Sequence, residues 1–162
     1  MWPVAPTRVS QPFADPGSYA SRTDRHGRAG HHTGIDFGSA WPVPVDRRLV
    51  RSVLPGKVVI SEYNSTMGNW VGVYNYEHDL LVTYWHLSER HVRVGQWVQP
   101  YRTLGRVGST GNSSAPHLHV QVNRGEDFDY HGHINPDEAF KILTRKQARE
   151  IYKRNPVHPE ER

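Results

Sequence analysis

Two histidines stand two residues apart in a segment that alternates between polar and apolar residues. His117 and His119 lie in the sequence PHLHVQV at 116–122. Side chains two residues apart point to the same face of a β-strand, so both imidazoles would project together from one strand. Imidazole nitrogen is a common zinc ligand, and two imidazoles on one face therefore favour a metal site. The apolar residues that would face the other way are Leu118, Val120 and Val122.

Two other segments carry residues that could complete such a site. His32 and Asp36 lie four residues apart around Gly34, at which the chain can turn sharply. His86 stands at the end of a segment with β-type sequence, 80–86. A catalytic zinc site uses three protein ligands and a water molecule, and two histidines with one aspartate meet that number. The chain has no cysteine, so any metal must be bound by His, Asp or Glu.

The elements that must position these residues are predicted to be short antiparallel strands. From residue 35 to 122, β-type runs alternate with turn signals, and residues 76–80 predict a hairpin turn. We therefore expect a single, mainly β domain built on an antiparallel sheet, preceded by an irregular segment at 1–30. The predicted strands are 9–13, 35–37, 49–53, 56–63, 70–76, 80–86, 103–107 and 117–123.

Helix is expected only near the C-terminus. Asn135 is suited to an N-cap, Pro136 to the first helical position and Glu138 to the third position after the cap. A second capping signal at 144–147 leaves open whether this segment is one helix or two.

Composition excludes several classes of protein. Without cysteine there is no disulfide scaffold, thiol nucleophile or iron–sulfur cluster. No apolar run approaches the ~20 residues of a membrane span, and the first residues do not read as a signal peptide, so we expect no membrane insertion. The net charge of +4 lies entirely in residues 141–162. Residues 1–140 carry no net charge, whereas a nucleic-acid-binding domain typically has a stripe of basic residues on its surface. The basic tail could still contact anionic polymers.

The site segments resemble those of a known family, the lysostaphin-type (LytM-type) zinc metalloendopeptidases that cut peptide cross-links of the cell wall. Weaker similarities, from QPF at 11–13 to INP at 134–136, extend the resemblance over about four fifths of the chain. The segments that carry it are HTGID at 32–36, YWHLS at 84–88, GSTGNS at 108–113 and PHLH at 116–119.

The resemblance implies that His32, Asp36 and His119 bind one zinc ion, and that His86 and His117 line the substrate side of an open groove. Zinc acidifies its bound water and polarises the scissile carbonyl, so one histidine would take a proton from that water while the other holds the water or the oxyanion. We assign the proton transfer to His117 and the holding role to His86; the reverse assignment stays open.

Other histidines are weaker candidates. His31 adjoins His32 and could compete as a ligand, but it lies five residues from Asp36. The two histidines of HGH at 131–133 have the same spacing as His117 and His119, but they fall in a predicted polar loop. The glycine-rich run 108–111 is followed by a proline and a strand rather than by a helix, so we expect it to position the strand histidines rather than to bind phosphate.

Two tryptophans depart from the family pattern. Trp85 stands where the family usually has a small residue, and Trp41 replaces a smaller turn residue. Both rings could narrow or re-aim the groove. Packing in the core is the alternative for them and for Trp70 and Trp97.

The function that the resemblance implies is zinc-dependent hydrolysis of peptidoglycan cross-links by a domain at 1–136, with a basic helical tail at 137–162. We expect a monomeric bacteriophage lysin that stays in the cytoplasm of the infected host until lysis and then acts on the wall, where the tail could bind anionic polymers. A secreted or a virion-associated enzyme is the alternative location. An inactive wall-binding or amidase-activating module of the same fold is the alternative function, and such modules typically lack one of the five site residues.

The sequence does not identify the peptide bond that is cut. It could lie within a glycine bridge or between D-alanine and a diamino acid.

Overall fold

Ten antiparallel strands form one sheet in the computed structural model, which describes residues 8–11, 13, 32–39, 43–129 and 132–136. The mainly β fold class is therefore confirmed, while the predicted C-terminal helix and most of the segment 1–30 lie outside the described residues. Within those residues, no helix is long and apolar enough to cross a membrane. The strands are β1 (Arg8–Gln11), β2 (Ile35–Gly38), β3 (Leu49–Arg51), β4 (Gly56–Asn64), β5 (Gly68–Asn75), β6 (Leu80–Arg90), β7 (Trp97–Val98), β8 (Thr103–Val107), β9 (Leu118–Arg124) and β10 (His133–Ile134).

The main path through the sheet runs β1-β2-β9-β6-β5-β4-β7. β8 pairs with the end of β6 and carries β3, while β10 pairs with β9. The predicted hairpin at 76–80 is confirmed, because β5 and β6 pair from Asn75 and Leu80 onward. Strands from distant parts of the sequence thus meet at β9, which lies between β2 and β6.

Alternation along β9 separates a core face from a second face. Leu118, Val120 and Val122 are fully buried in the main apolar cluster, as the period of two predicts. His119 lies between them in sequence and so projects from the opposite face. The apolar residues on that face form a smaller cluster: Met67, Trp70 and Trp85, with Ile60 and Phe128 packed against them.

The predicted strands correspond to observed ones, although several boundaries differ by one to four residues. β7 and β10 were not predicted, because two-residue strands carry no periodicity and exist only through pairing with β4 and β9. β6 continues past the predicted end at His86 to Arg90. Trp97 is 52% exposed, so the core-packing alternative is wrong for this residue, whereas it holds for the buried Trp70 and Trp85.

One buried hydroxyl ties β6 to the loop before β4. Tyr84 is fully buried, and its hydroxyl oxygen accepts a hydrogen bond from the backbone N–H of Val53 at 3.0 Å. Burial raises the pKa of this phenol, so it stays protonated. The contact satisfies an N–H that water does not reach.

We expect Tyr84→Phe to lower the free energy of unfolding by about 1–3 kcal/mol, because the Val53 N–H loses its partner in a buried environment. Urea denaturation followed by circular dichroism measures this change. Tyr63→Phe is the matched control, since Tyr63 is 60% exposed, and it should leave the midpoint unchanged. Equal midpoints for all three proteins would contradict the prediction.

Candidate active site

His32, Asp36 and His119 bring three ligand atoms to one point on the second face of the sheet. Asp36 Oδ1 lies 2.8 Å from His119 Nδ1 and 3.1 Å from His32 Nε2. The two ring nitrogens are 3.1 Å apart. All three residues are buried, and their ligand atoms together could hold a metal ion. His119 is 83 residues from Asp36 and 87 residues from His32 in the sequence, and the pairing of β2 with β9 brings it to them.

Hydrogen bonds from both imidazoles to one carboxylate oxygen would bring two N–H groups close together. If both imidazoles donated to Asp36 Oδ1, two N–H groups would face each other across the 3.1 Å between His32 Nε2 and His119 Nδ1. Three donor atoms that lie 2.8 to 3.1 Å from one another suit a divalent cation instead, and two imidazoles with one carboxylate are a typical donor set for zinc. The residues present therefore fit a metal ion.

The protonation states of the cluster also suit a metal. Burial alone would raise the pKa of Asp36, but the hydrogen bonds and charges of His119 and His32 outweigh burial and hold the pKa well below its usual range. Burial lowers the pKa of His119, against the opposing pull of Asp36. At neutral pH the carboxylate is thus ionised and the His119 ring neutral, which are the states that metal binding requires.

Gly34 makes room for the cluster. A Cβ at this position would lie 2.2 Å from the Val120 carbonyl oxygen and 2.7 Å from His119 Nε2, closer than such atoms can approach. The glycine therefore lets the segment before β2 pass against β9 and the edge of the His119 ring. This is a requirement of close packing and not of an unusual backbone angle.

His117 borders the cluster on its more open side. Its Nε2 lies 3.8 Å from Asp36 Oδ2, and 20% of its side chain is exposed. Its Nδ1 is 2.8 Å from the Ala115 carbonyl oxygen. A carbonyl only accepts hydrogen bonds, so Nδ1 carries the proton and, in the neutral ring, Nε2 keeps its lone pair. The predicted role of the run 108–111 agrees with the structure, since the His117 N–H donates to the Gly108 carbonyl oxygen at 3.2 Å.

His86 packs beside His117, with 4.6 Å between ring centroids. Its Nδ1 donates to the Thr110 carbonyl oxygen at 2.9 Å, which leaves Nε2 as the acceptor of the neutral ring. Burial lowers the pKa of His86 to about 4. The residue has a φ of +63°, a left-handed conformation that is uncommon for residues other than glycine.

All five histidine and aspartate residues that the sequence singled out thus meet in one place. HGH at 131–133 is separate from it: His133 lies in β10 and packs against Phe13, while His31 and His131 fall outside the described residues. Sequence reasoning missed the carbonyl groups of Ala115 and Thr110, which set the tautomers of the two flanking histidines. No residue-type signal could reveal them, because every residue carries a carbonyl.

Comparison with known proteins agrees with this geometry. A family model described as Peptidase family M23 matches residues 30–136. Glycyl-glycine endopeptidase ALE-1 of Staphylococcus capitis is 38% identical over 93 residues, which are 57% of this chain and 24% of that protein. Peptidoglycan DD-endopeptidase ShyC of Vibrio cholerae is 31% identical over 90 residues, which are 56% of this chain and 19% of that protein.

Among solved structures, the catalytic domain of the antimicrobial peptidase lysostaphin from Staphylococcus simulans has a TM-score of 0.68 and 26% identity. The alignment covers 83% of this chain and 92% of that domain. The chain therefore spans nearly all of a solved catalytic domain but less than a quarter of the length of the two curated relatives. With the family match extending over the whole site, this chain belongs to peptidase family M23.

Proposed function

We propose that this chain is a zinc-dependent endopeptidase that hydrolyses peptide cross-links of bacterial peptidoglycan. The observation that carries the proposal is the convergence of His32, Asp36 and His119 beside the two imidazoles of His86 and His117. Family membership supports peptidase chemistry, and the two curated relatives are named for endopeptidase activity.

His32, Asp36 and His119 would hold the metal through Nε2, Oδ1 and Nδ1. When bound, zinc supplies a Lewis acid that makes water a nucleophile at neutral pH and polarises a carbonyl. Burial of the three ligands keeps competing water from them, while the carboxylate offsets part of the positive charge. The two flanking histidines would handle the attacking water and its proton.

His117 is the better general base of the two. Its Nε2 has the lone pair and lies next to the cluster. Because part of its ring is exposed, solvent can stabilise the imidazolium that forms when it takes a proton. The Ala115 carbonyl oxygen keeps its N–H contact in both states and so fixes the ring throughout.

His86 is suited to orienting the attacking water by accepting a hydrogen bond. Its buried ring stays neutral at neutral pH, because its pKa lies near 4. With Nδ1 committed to the Thr110 carbonyl oxygen, the neutral ring has no second N–H to offer an oxyanion. The structure thus supports water binding over oxyanion binding for His86.

We also propose that the protein is a bacteriophage lysin held in the host cytoplasm until lysis. Expressed in a bacterial cytoplasm, it should leave cells intact until a pore-forming agent opens the inner membrane, and lysis should then follow. Turbidity of the culture with and without that agent measures this. Lysis without the agent would favour the alternative of a secreted enzyme.

Chelation and loss of one ligand should both abolish cleavage. We expect wild-type protein to bind about one zinc per chain and to release fragments from purified peptidoglycan, and a chelator or His32→Ala to stop that release. Mass spectrometry of the fragments identifies the bond from the new amino terminus, and walls with glycine bridges and with direct cross-links should be compared.

The matched control is His91→Ala. His91 lies on the surface, with its Nε2 3.6 Å from Glu89 Oε2, so its loss should leave zinc content and fragment release unchanged. Full zinc content with no release from any wall would instead favour the inactive binding module.

His117→Ala should keep zinc and lose activity. Removal of a general base typically lowers kcat by 10²–10⁴-fold, and none of the three ligand atoms comes from His117. We expect a smaller loss of kcat for His86→Ala, since orienting water contributes less than taking its proton. Zinc content by atomic absorption and kcat on isolated cross-linked peptides measure both. A wild-type kcat for zinc-loaded His117→Ala would rule out the assignment.

A further inference from the structure

Within the described part of the chain, the candidate ligand His119 lacks the outer contact that normally holds a metal-binding histidine in place. Its Nδ1 faces Asp36 and His32, and its Nε2 is buried with no hydrogen-bond partner among the described residues. A ligating histidine usually donates its second ring N–H to a carboxylate, a carbonyl or water, and that contact sets the orientation of the ring. Among the described residues, the contacts that can orient the His119 ring are therefore contacts to the faces and edges of the ring.

Trp85 is placed to do so. It is the register partner of His119 on the neighbouring strand, β6, so the two side chains stand next to each other on one face of the sheet. Their ring centroids are 4.3 Å apart and their planes are tilted by 35°, which is a stacked contact rather than an edge contact. His32 adds an edge contact at 4.9 Å and 72°, and Gly34 passes the Nε2 edge of the ring.

Trp85 is itself held firmly. Its indole Nε1 donates a hydrogen bond to Thr83 Oγ1 at 2.9 Å, and that buried hydroxyl donates to the Gln121 carbonyl oxygen at 3.3 Å on β9. Trp70 and Phe128 pack their rings against the indole in edge contacts at 6.4 and 5.9 Å. Trp85 as a whole is only 4% exposed.

We infer that Trp85 is a positioning residue for the metal centre, which sets the ring plane of His119 by stacking where other metal sites use an outer hydrogen bond. The inference rests on the proposed zinc site, to which it adds a residue that binds neither metal nor substrate. Stacking leaves His119 Nε2 without a polar partner among the described residues, so the orientation of the ring depends on the indole of Trp85 that lies against it.

The test compares zinc affinity with the stability of the metal-free protein in full-length variants. Trp85→Leu removes the stacking ring, Trp85→Phe keeps a smaller one, and Trp70→Leu disturbs the same cluster at a ring that contacts no histidine ring in the described residues. Zinc dissociation constants come from competition with a chromophoric chelator. Urea denaturation of the metal-free proteins gives their stability.

We expect Trp85→Leu to weaken zinc binding about 10-fold or more, as loss of an outer contact typically does, and Trp85→Phe to recover much of that loss. Trp70→Leu should destabilise the metal-free fold while zinc affinity stays within twofold of wild type. Unchanged zinc affinity in Trp85→Leu, or an equal loss in Trp70→Leu, would overturn the inference while the zinc site stands. Absence of zinc binding by the wild-type protein would overturn the proposed site and this inference with it.

Discussion

Antiparallel pairing across β2, β9 and β6 is the constraint on which the rest of the site depends. Asp36 is the register partner of His119 on one side, and Trp85 is its partner on the other. A shift of one residue in the pairing of β9 with β2 would turn Asp36 or His119 toward the apolar core, and the same shift between β9 and β6 would turn Trp85 or His119 toward it. The fully buried neighbours Leu118 and Val120 prevent such a shift, because it would expose them. The hydrophobic core thus sets the geometry of a polar centre on the opposite face.

Two backbone carbonyl groups determine which ring nitrogen of each flanking histidine carries the proton. The carbonyl oxygens of Ala115 and Thr110 accept from Nδ1 of His117 and His86, and each therefore leaves the far nitrogen of its ring with a lone pair. These two carbonyls belong to one connection, between β8 and β9, that also pairs with His117 at Gly108. One loop therefore controls the tautomers of both flanking histidines.

Different environments suit the two flanking histidines to the different tasks that we propose for them. His86 is buried in a left-handed conformation and stays neutral, whereas part of the His117 ring meets solvent. Two chemically identical side chains whose ring centroids lie 4.6 Å apart are therefore suited to the separate roles proposed for them, which are to orient the attacking water and to accept its proton. The contrast resembles other active sites in which burial separates the tasks of like residues.

The sequence by itself determined the fold class and the alternation of β9, because period-two patterning is a local property, and its resemblance to a known family identified His32, Asp36 and His119 as the candidate ligands. It could not decide which ring nitrogens carry protons, the bend at His86 or the exposure of Trp97, since each depends on contacts between segments far apart in the chain. Trp85 shows the difference most clearly. In the sequence it was notable only as a bulky residue next to His86 at a position where the family usually has a small one. The strand register places its ring against His119.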